Sequence, residues 1–426
     1  MTMTINNEHK KLNFLSEREQ NQACLNSAEH EKNQGRKVLN VPNLRFPEFQ
    51  GEWEKCILGD ITENFNLRNK DKIQYPMFSV TNDRGFVPQS EQFEGRDMVG
   101  EDIKAYKIIH TNDFAYNPAR INVGSIAIYT GEKPCMISSL YVCFKTTKEV
   151  NNEWLMQLLK TPKMNYYYNV NGEGGVRVYL FYPNFARIRM SIPNIEEQKK
   201  IAKLLNLIDE RIATQNKIID KLQSLIKGIN QRVFKNSGNN YKLGEICEIR
   251  SGYSGNQLLS KKGLKVSRIE TISGHKVNME RVGYVAPFES SENYRLRVGD
   301  ILFSNINSVE YIGNTAFIDK DYDLYHGMNL LRLIPNNMVV IPFYLYLLIN
   351  TNRMLNRFKT VCNKAVSQAS INQTELGKTV VQIPPINTQE QICELYQALY
   401  TKLETESHTK SLFQNQKQYL LRQMFI

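Results

Sequence analysis

Residues 192–201 read IPNIEEQKKI and residues 383–392 read IPPINTQEQI, so one short motif occurs twice at an offset of 191 residues. The same offset, with no gap, aligns QRVF at residues 231–234 with RQMF at residues 422–425. The two segments that begin at these motifs therefore have equal length and share both ends. Self-similarity at a fixed offset is the sequence signature of a duplicated structural unit.

The match extends upstream of both segments in the same order. LGDI at residues 58–61 aligns with LGEI at residues 243–246 at an offset of 185, and DFAYN at residues 113–117 aligns with DILFS at residues 300–304 at an offset of 187. The slow drift of the offset indicates small loop insertions within one order of elements. The sequence therefore predicts an internal pseudo-twofold repeat over most of its length.

The segment that follows each Ile-Pro motif has the pattern of a long helix. Apolar residues recur in the first segment at alternating steps of four and three, which is the a/d seam of a coiled coil. At about 1.5 Å per residue this helix would be roughly 50 Å long. The predicted seam positions are Ile201, Leu205, Ile208, Ile212, Gln215, Ile219, Leu222, Ile226, Ile229 and Val233 in the first helix, and Ile392, Tyr396, Leu399, Leu403, Glu406, Lys410, Phe413, Lys417, Leu420 and Met424 in the second.

We expect the two helices to pair as an antiparallel coiled coil. Pairing about their centres would place Gln215 opposite Lys410 and Ile219 opposite Glu406, and polar seam residues of this kind can fix the register of a coiled coil. The polar middle of the second seam leaves an alternative open, in which each helix is an ordinary exposed helix that contacts only its own domain.

The segments upstream of the helices contain short β-type runs separated by turn residues, for example residues 107–109 and 140–144, and then a helical pattern around residues 154–159. The predicted fold class is therefore α+β, with two tandem globular domains that are each followed by a long α-helix. Residues 1–40 lie outside the repeat and are polar, and we expect them to be disordered or to form a loosely attached helix. The predicted boundaries are an N-terminal extension at 1–40, a first domain at 41–194, a central helix at 195–236, a second domain at 237–385 and a C-terminal helix at 386–426.

The composition favours a polyanionic partner in a reducing cytoplasm. Lys and Arg number 54 against 43 Asp and Glu, a net charge of +11 that is typical of nucleic-acid binding, although solubility alone is an alternative explanation. The seven cysteines are scattered and form no Cys-x-x-Cys pair, which disfavours structural zinc. The longest apolar run, residues 338–349, contains Pro342 and is too short to span a membrane.

Motifs that a catalytic chain would need are not apparent. There is no Gly-x-x-x-x-Gly-Lys-Ser/Thr loop, and YNPAR at residues 116–120 lacks the second proline and the aromatic residue of an amino-methyltransferase loop. Glu197, Gln198 and Lys199 have the letters of a nuclease motif, but they start a predicted helix, where we expect them to cap it and face solvent. The six histidines are too far apart for a local metal site. We expect no catalytic and no metal-binding residue.

Several of these strings resemble the specificity subunits of type I restriction-modification enzymes. VPNLRFPEF at residues 41–49, followed by GEW at residues 51–53, is similar to the opening of that family. GDILFS at residues 299–304 and the two Ile-Pro motifs resemble its domain endings and helix starts. The resemblance covers about residues 41–426 and includes the order and spacing of the motifs.

This resemblance implies a non-catalytic subunit that binds double-stranded DNA. Its two target recognition domains would each bind one half of a bipartite asymmetric site, and its helices would form a spacer that docks two methyltransferase subunits. Those partners would methylate adenine with S-adenosylmethionine, and motor-endonuclease subunits would cut DNA with ATP and Mg²⁺. None of these cofactors would bind this chain. The alternative is a non-enzymatic coiled-coil scaffold or adhesin whose positive charge is incidental.

Candidate DNA-contacting residues are side chains with suitable donors and acceptors on loops that align between the two copies. For any one of them, a solvated surface side chain is an equally good interpretation. The candidates are Arg84, Asn117, Arg120, Asn122, Arg177 and Tyr179 in the first domain, and Arg268, Ser304, Asn305, Asn307, Lys364, Ser367 and Gln368 in the second.

If Arg177 contacts a base, Arg177→Ala weakens specific DNA binding by about 1 to 3 kcal/mol, because a bidentate contact to that base is lost. The measurement is a titration of the variant against a specific duplex and a random duplex at one salt concentration. Equal losses on the two duplexes would assign Arg177 to a phosphate contact instead.

Overall fold

The computed structural model describes residues 39–92, 103–174, 178–234, 238–364 and 368–426. The predicted extension at residues 1–40 lies outside the described residues except for its last two. The chain divides into two compact units, of which the first runs to Thr214 and also contains Lys410–Ile426, while the second is Gln215–Thr409. Each unit is described by itself below. No helix of the described chain is both long and apolar enough to cross a lipid bilayer.

The first unit is built around a four-stranded antiparallel sheet with the strand order β2-β9-β6-β7. Strand β1 pairs with β10, β3 with β4, and β5 with β8. The strands are β1 (Glu54–Ile57), β2 (Thr62–Phe65), β3 (Phe78–Thr81), β4 (Gly85–Pro88), β5 (Lys107–Ile109), β6 (Phe114–Tyr116), β7 (Ile126–Ile128), β8 (Cys135–Ile137), β9 (Val142–Thr146) and β10 (Arg189–Ile192). The helices are α1 (Leu58–Ile61), α2 (Gln89–Gln92), α3 (Asn152–Leu159), α4 (Pro162–Asn171), α5 (Tyr182–Ala186) and the start of α6 (Ile195–Val233).

The second unit repeats this arrangement, with a central antiparallel sheet in the order β12-β18-β15-β17. The β11–β21 pair matches β1–β10, and β16-β20-β19 form a small extra sheet. The strands are β11 (Asn239–Lys242), β12 (Cys247–Ser251), β13 (Leu264–Val266), β14 (Gly283–Val285), β15 (Ile301–Phe303), β16 (Ile306–Asn307), β17 (Thr315–Phe317), β18 (Leu331–Pro335), β19 (Asn363–Lys364), β20 (Ala369–Ser370) and β21 (Val380–Ile383). The helices are α7 (Leu243–Ile246), α8 (Pro342–Ile349), α9 (Asn352–Val361), α10 (Gln373–Gly377) and α11 (Ile386–Gln423).

The predicted duplication and the α+β fold class are confirmed by this topology. The aligned strings DFAYN and DILFS form β6 and β15, which occupy the same position in their sheets. The aligned strings LGDI and LGEI form α1 and α7. The second position of LGDI is tightly packed, since a side chain on Gly59 would meet the Ala186 Cβ at 3.1 Å, whereas one on Gly244 would make an ordinary contact with the Gly377 Cα at 3.5 Å.

Aromatic side chains dominate the core of the first unit. The Trp154 ring of α3 is fully buried, and its centroid lies 6.4 Å from that of Trp53 and 5.9 Å from that of Phe425. On the sheet, Phe114 and Phe144 stack at 4.9 Å across the β6–β9 pair. The second unit uses α8 in the same way, because the apolar run that begins at Pro342 is buried along most of its length.

A buried glutamine connects each long helix to the domain that precedes it. The Gln198 amide donates to the backbone oxygens of Glu149 (3.1 Å) and Pro193 (2.9 Å) and accepts from the Asn151 N–H (2.8 Å). Gln389 makes the equivalent three bonds, with the oxygens of Val339 (3.1 Å) and Pro384 (2.8 Å) and the Ile341 N–H (2.8 Å). This contact is the physical reason for the repeated Ile-Pro and Gln pattern.

The expectation that Glu197 and Gln198 face solvent is wrong. Both side chains are buried, and the Glu197 carboxylate accepts from the Arg45 guanidinium at 2.7 and 2.8 Å and from the Trp53 indole at 3.3 Å. The helix N-terminus is capped by Asn194 instead, whose side chain accepts from the Glu197 N–H. The strings that contain Arg45 and Trp53 are therefore parts of one buried ion-pair network.

The two long helices pair antiparallel, and every predicted seam position is buried or half-buried. In the first unit the Lys417 ammonium contacts the Asp209 carboxylate at 2.7 Å, and in the second unit Tyr396 hydrogen-bonds Asn230. The predicted register at Gln215 is wrong by about one helical turn. Gln215 was expected opposite Lys410, but its amide donates a hydrogen bond to the Glu406 carboxylate. Gln215 and Glu406 are equivalent positions of the repeat, and Lys402 and Gln215 together lower the pKa of the Glu406 carboxyl.

Replacing Gln389 by leucine should destabilise the protein by about 3 kcal/mol, because Leu fills the space but leaves one buried and two partly buried backbone groups without this partner. Urea unfolding of Gln389→Leu measures the loss, and Gln391→Leu, at an exposed position of the same helix, is the matched control. Equal stability of the two variants would contradict the structural role of this amide.

Acid should destabilise the second unit through His326. Its ring is buried, its Nε2–H donates to the Leu330 oxygen at 2.9 Å, and burial lowers its pKa to about 4. The unfolded chain binds this proton below about pH 6.5, whereas the folded chain does so only near pH 4. The stability that depends on the neutral ring is therefore present above pH 6.5 and is lost as the pH falls, by about 3 kcal/mol in the limit.

The measurement is thermal unfolding at pH 7.5 and pH 5. His326→Gln keeps an N–H donor and cannot titrate, so its melting temperature should fall less between the two pH values than that of the wild type. His408→Gln, at an exposed position of α11, should behave like the wild type. A parallel fall in the wild type and His326→Gln would exclude His326 as the acid-sensitive group.

Candidate nucleic-acid interface

The loop after β6 carries three of the candidate residues on a tight turn. The Asn117 side chain accepts from the Ala119 N–H at 3.0 Å, and the Asn117 N–H donates to the Ser125 oxygen at 3.0 Å. The amide of Asn117 therefore shapes the turn, as Asn side chains commonly do. Arg120 is exposed on the same turn, and the Asn122 amide donates to the Asn169 side chain of α4 at 3.0 Å.

A second segment, after α4, lies against this turn. Glu173 and Tyr179 exchange two backbone hydrogen bonds of 2.8 Å, and the Leu180 N–H donates to the Pro118 oxygen at 3.0 Å. Arg84 comes from a third segment, the turn between β3 and β4, which is held nearby by a 2.7 Å bond from the Ser125 hydroxyl to the Val80 oxygen. The structure therefore brings Asn117, Arg120, Asn122 and Tyr179 together, with the Arg84 turn adjacent.

The second unit builds the same site from the extra sheet β16-β20-β19. Ser304 is fully buried, and its hydroxyl accepts from the Asn307 amide at 3.1 Å. The Ile371 N–H donates to the Asn305 oxygen at 2.9 Å, as Leu180 does to Pro118 in the first unit. Lys364 and Gln368 are exposed at the other end of this small sheet. Lys364 and Gln368 are therefore the candidates of this small sheet whose polar groups are accessible.

Three candidates stand apart from these clusters. Arg268 follows β13, where it makes an ion pair of 3.5 Å with Glu270, and none of the contacts in the described chain joins it to the loop after β15. Arg177 and Ser367 lie outside the described residues.

Acidic groups lie at the opposite end of β6 and β15 from the candidate loops. Asp113 and Asp300 precede these strands, and each carboxylate accepts a backbone N–H, from His110 (2.8 Å) and Arg297 (2.6 Å) respectively. Burial raises the pKa of both carboxyls, whereas the Arg332 guanidinium, 2.6 Å from the Asp300 carboxylate, opposes that rise for Asp300 by stabilising its charged form. The loop ends of the two strands thus present amides and cations, while the buried carboxylates are at the far ends.

Two residues of the first-unit site were missed in the sequence. Asn169 was overlooked because its role depends on its contact with Asn122 across 47 residues. Phe181 was overlooked because its side chain lacks the hydrogen-bonding group that all candidate residues share, although 48% of its surface is exposed. Within the described ranges there is no group of three or more His, Cys, Asp or Glu side chains arranged for a metal ion.

Comparison with known proteins identifies the family. The family model described as the type I restriction modification DNA specificity domain matches residues 50–224 and again residues 237–412. The chain belongs to this family. The resemblance seen in the sequence is therefore confirmed, and the two matched segments are the two copies of the repeat.

Curated relatives in this specificity-domain family include two from Methanocaldococcus jannaschii and one from Escherichia coli. The putative type I restriction enzyme MjaX specificity subunit is 37% identical over 188 residues, which are 43% of this chain and 44% of the relative. The EcoKI specificity subunit of E. coli is 25% identical over 52% of this chain and 53% of the relative. The MjaVIII specificity subunit is 23% identical over 89% and 92%. The first two alignments thus span about half of the relatives' length.

Solved structures share the fold of this specificity-domain protein. The S subunit of a type I restriction-modification system from M. genitalium superposes with a TM-score of 0.57 at 14% identity, over 91% of this chain and 99% of the other. A structure described as the basis of complex assembly and conformational transition of the type I R-M system gives a TM-score of 0.55 at 16% identity, over 87% and 96%. At these identities the likeness concerns the fold.

Proposed function

We propose that this protein is the DNA-binding specificity subunit of a type I restriction-modification complex. The observation that carries the proposal is that two equivalent scaffolds support loops of unlike chemistry. The loop after β6 presents Arg120, whereas the equivalent loop after β15 carries Asn307. The segment after α4 presents Tyr179, whereas the matching segment of the second unit, around β19 and β20, presents Lys364 and Gln368. Two unlike loop sets on one duplicated scaffold suit a bipartite, asymmetric DNA site, because each set would contact different bases.

The chemistry of the loops suits double-stranded DNA. Arg and Lys neutralise phosphates, and Arg, Asn and Gln can form paired hydrogen bonds with base edges in the major groove. The candidate residues supply these groups, and Asn117, Asn305 and Ser304 hold the loops through hydrogen bonds within the chain. We therefore assign direct base contacts to the exposed members and a supporting role to the buried ones.

The catalytic steps would belong to partner subunits. We propose that two methyltransferase subunits bind the long helices and methylate adenine with S-adenosylmethionine, and that motor-endonuclease subunits use ATP and Mg²⁺ to cut DNA. In this proposal the chain is non-catalytic, binds no cofactor itself and acts in the cytoplasm. The family assignment and the paired helices α6 and α11, whose outward faces are exposed, support these roles.

Mapping modified adenines in DNA from cells with and without this subunit tests the proposal. A new bipartite motif with two specified parts and an unspecified gap should appear only when the subunit is present. A chain in which both Lys364 and Gln368 are replaced by alanine should alter the methylation of one part of the motif, because only one domain is changed. No subunit-dependent motif would refute the proposal.

The salt dependence of DNA binding distinguishes a specificity subunit from a scaffold with incidental charge. A protein with six to ten phosphate contacts should lose roughly 10³- to 10⁵-fold in affinity between 50 and 200 mM salt, because counterions are released on binding. The measurement is a titration of the full-length chain, with its methyltransferase partners, against a labelled duplex. Binding that hardly changes with salt would favour the scaffold.

A further inference from the structure

Two aromatic side chains of the first unit form an exposed stack beside the candidate loops. The ring centroids of Tyr179 and Phe181 are 6.2 Å apart, with 13° between their planes. The two residues are 38% and 48% exposed. Exposed aromatic rings that gather on one surface usually mark a contact with another molecule. We call Tyr179 and Phe181 the aromatic pair.

The backbone that carries the aromatic pair is held firmly. Leu180, between the two rings in sequence, is fully buried, and its N–H donates to the Pro118 oxygen at 3.0 Å. Tyr179 exchanges two backbone bonds of 2.8 Å with Glu173. The rings are therefore fixed next to the turn that presents Arg120.

Phe181 occupies a helix N-cap position, where a polar side chain would stabilise the helix more than phenylalanine does. It is the N-cap of α5 and provides no side-chain hydrogen bond to the helix. Asn372 is the N-cap of α10 at the equivalent place in the second unit, and its side chain accepts from the Glu375 N–H at 2.8 Å. N-cap positions strongly favour Asn, Asp, Ser and Thr. An exposed phenylalanine at a position that favours a capping side chain indicates that its ring contacts another molecule.

We propose that the aromatic pair contacts the C5-methyl group of thymine in the major groove of the half-site bound by the first domain. The inference rests on the proposed function. The thymine methyl is the apolar group that base pairs present in the major groove, and phenylalanine is among the side chains that contact it. Each half-site would contain a thymine, because the adenine that is methylated pairs with one.

The surroundings of the aromatic pair favour DNA over a protein partner. In the described segments 117–124, 165–174 and 178–184, Glu173 is the one carboxylate, and it accepts from the Asn184 amide at 2.7 Å. The polar groups near the rings are the amides of Asn122 and Asn169 and the Arg120 guanidinium. A surface of this composition is complementary to phosphates and base edges.

The second domain should not contact thymine methyl groups through an aromatic pair. Matching the Leu180 and Ile371 backbone bonds places Ser370 and Asn372 at the positions of Tyr179 and Phe181. Neither residue presents an apolar ring. The two half-sites would thus differ in the kind of contact as well as in sequence.

The test replaces thymine by deoxyuridine, which lacks the methyl group, in one half-site at a time of the duplex identified by the methylation map. Affinity of the full-length chain, in complex with its methyltransferase partners, is measured at fixed salt. For the wild type, loss of the contacted methyl should weaken binding by about fourfold in one half-site, as expected for one buried methyl group. The same replacement in the other half-site should change affinity by less.

Two variants connect this effect to the aromatic pair. Phe181→Asn installs the cap residue used in the second unit, so its thermal stability should equal or exceed that of the wild type. Phe181→Asn and Tyr179→Ser should bind the thymine duplex more weakly and should no longer distinguish thymine from deoxyuridine. Thr130→Ala, at an exposed position after β7 and at the opposite end of the β6–β7 pair from the candidate loops, is the control and should keep the distinction.

The outcomes separate this inference from the proposed function. Specific, salt-dependent binding that ignores the methyl groups of both half-sites would overturn the inference and leave the proposed function standing. Variants that keep the wild-type distinction, or that lose their methyltransferase partners while DNA binding is unchanged, would also overturn it. The absence of any sequence-specific binding by the wild-type complex would overturn both.

Discussion

The buried glutamine at the start of each long helix is the contact on which the repeated architecture depends. A primary amide has two N–H donors and an acceptor oxygen. Gln198 and Gln389 use both donors and the oxygen on backbone groups of two segments, the loop before the buried helix and the proline that precedes the long helix. Leucine has a similar shape but no polar atoms, and glutamate cannot donate. The amide belongs to the first turn of the long helix and bonds both the end of the domain and the loop before the buried helix of that domain. It therefore fixes the direction in which the long helix leaves the domain.

With the scaffold fixed in this way, the loops at the far end of the central sheet can vary. The residues that hold the loops do so through backbone groups, as in the bonds from Leu180 to Pro118 and from Ile371 to Asn305. Bonds of this kind do not depend on which side chains the loop displays. Changes at exposed positions such as Arg120 or Gln368 therefore alter the surface without removing a structural contact. A duplicated scaffold can thus acquire two different binding surfaces at little cost in stability.

The sequence predicted those features that depend on local periodicity. The repeat, the fold class and the seams of α6 and α11 followed from spacing alone. Glu197 was misplaced because its partners, Arg45 and Trp53, are 152 and 144 residues away, and no local pattern reveals a contact of that range. The importance of Phe181 could have been recognised by aligning the N-cap positions of the two copies, where an aromatic residue replaces asparagine. The base-contacting roles of all the candidate residues stay predictions, and Arg177 and Ser367 also lie outside the described residues.

The partner of Gln215 explains the polar middle of the second helix. Gln215 and Glu406 occupy equivalent positions of the repeat, so α6 and α11 pair here through a residue and its own equivalent. Exact symmetry would place two glutamines or two carboxylates together, and two buried carboxylates would repel each other. An amide opposite a carboxylate removes this repulsion and gives a charge-assisted hydrogen bond. The divergence of the two copies at this point therefore favours the pairing of α6 with α11 over the pairing of α11 with a second α11, which is what a single chain with two unlike domains requires.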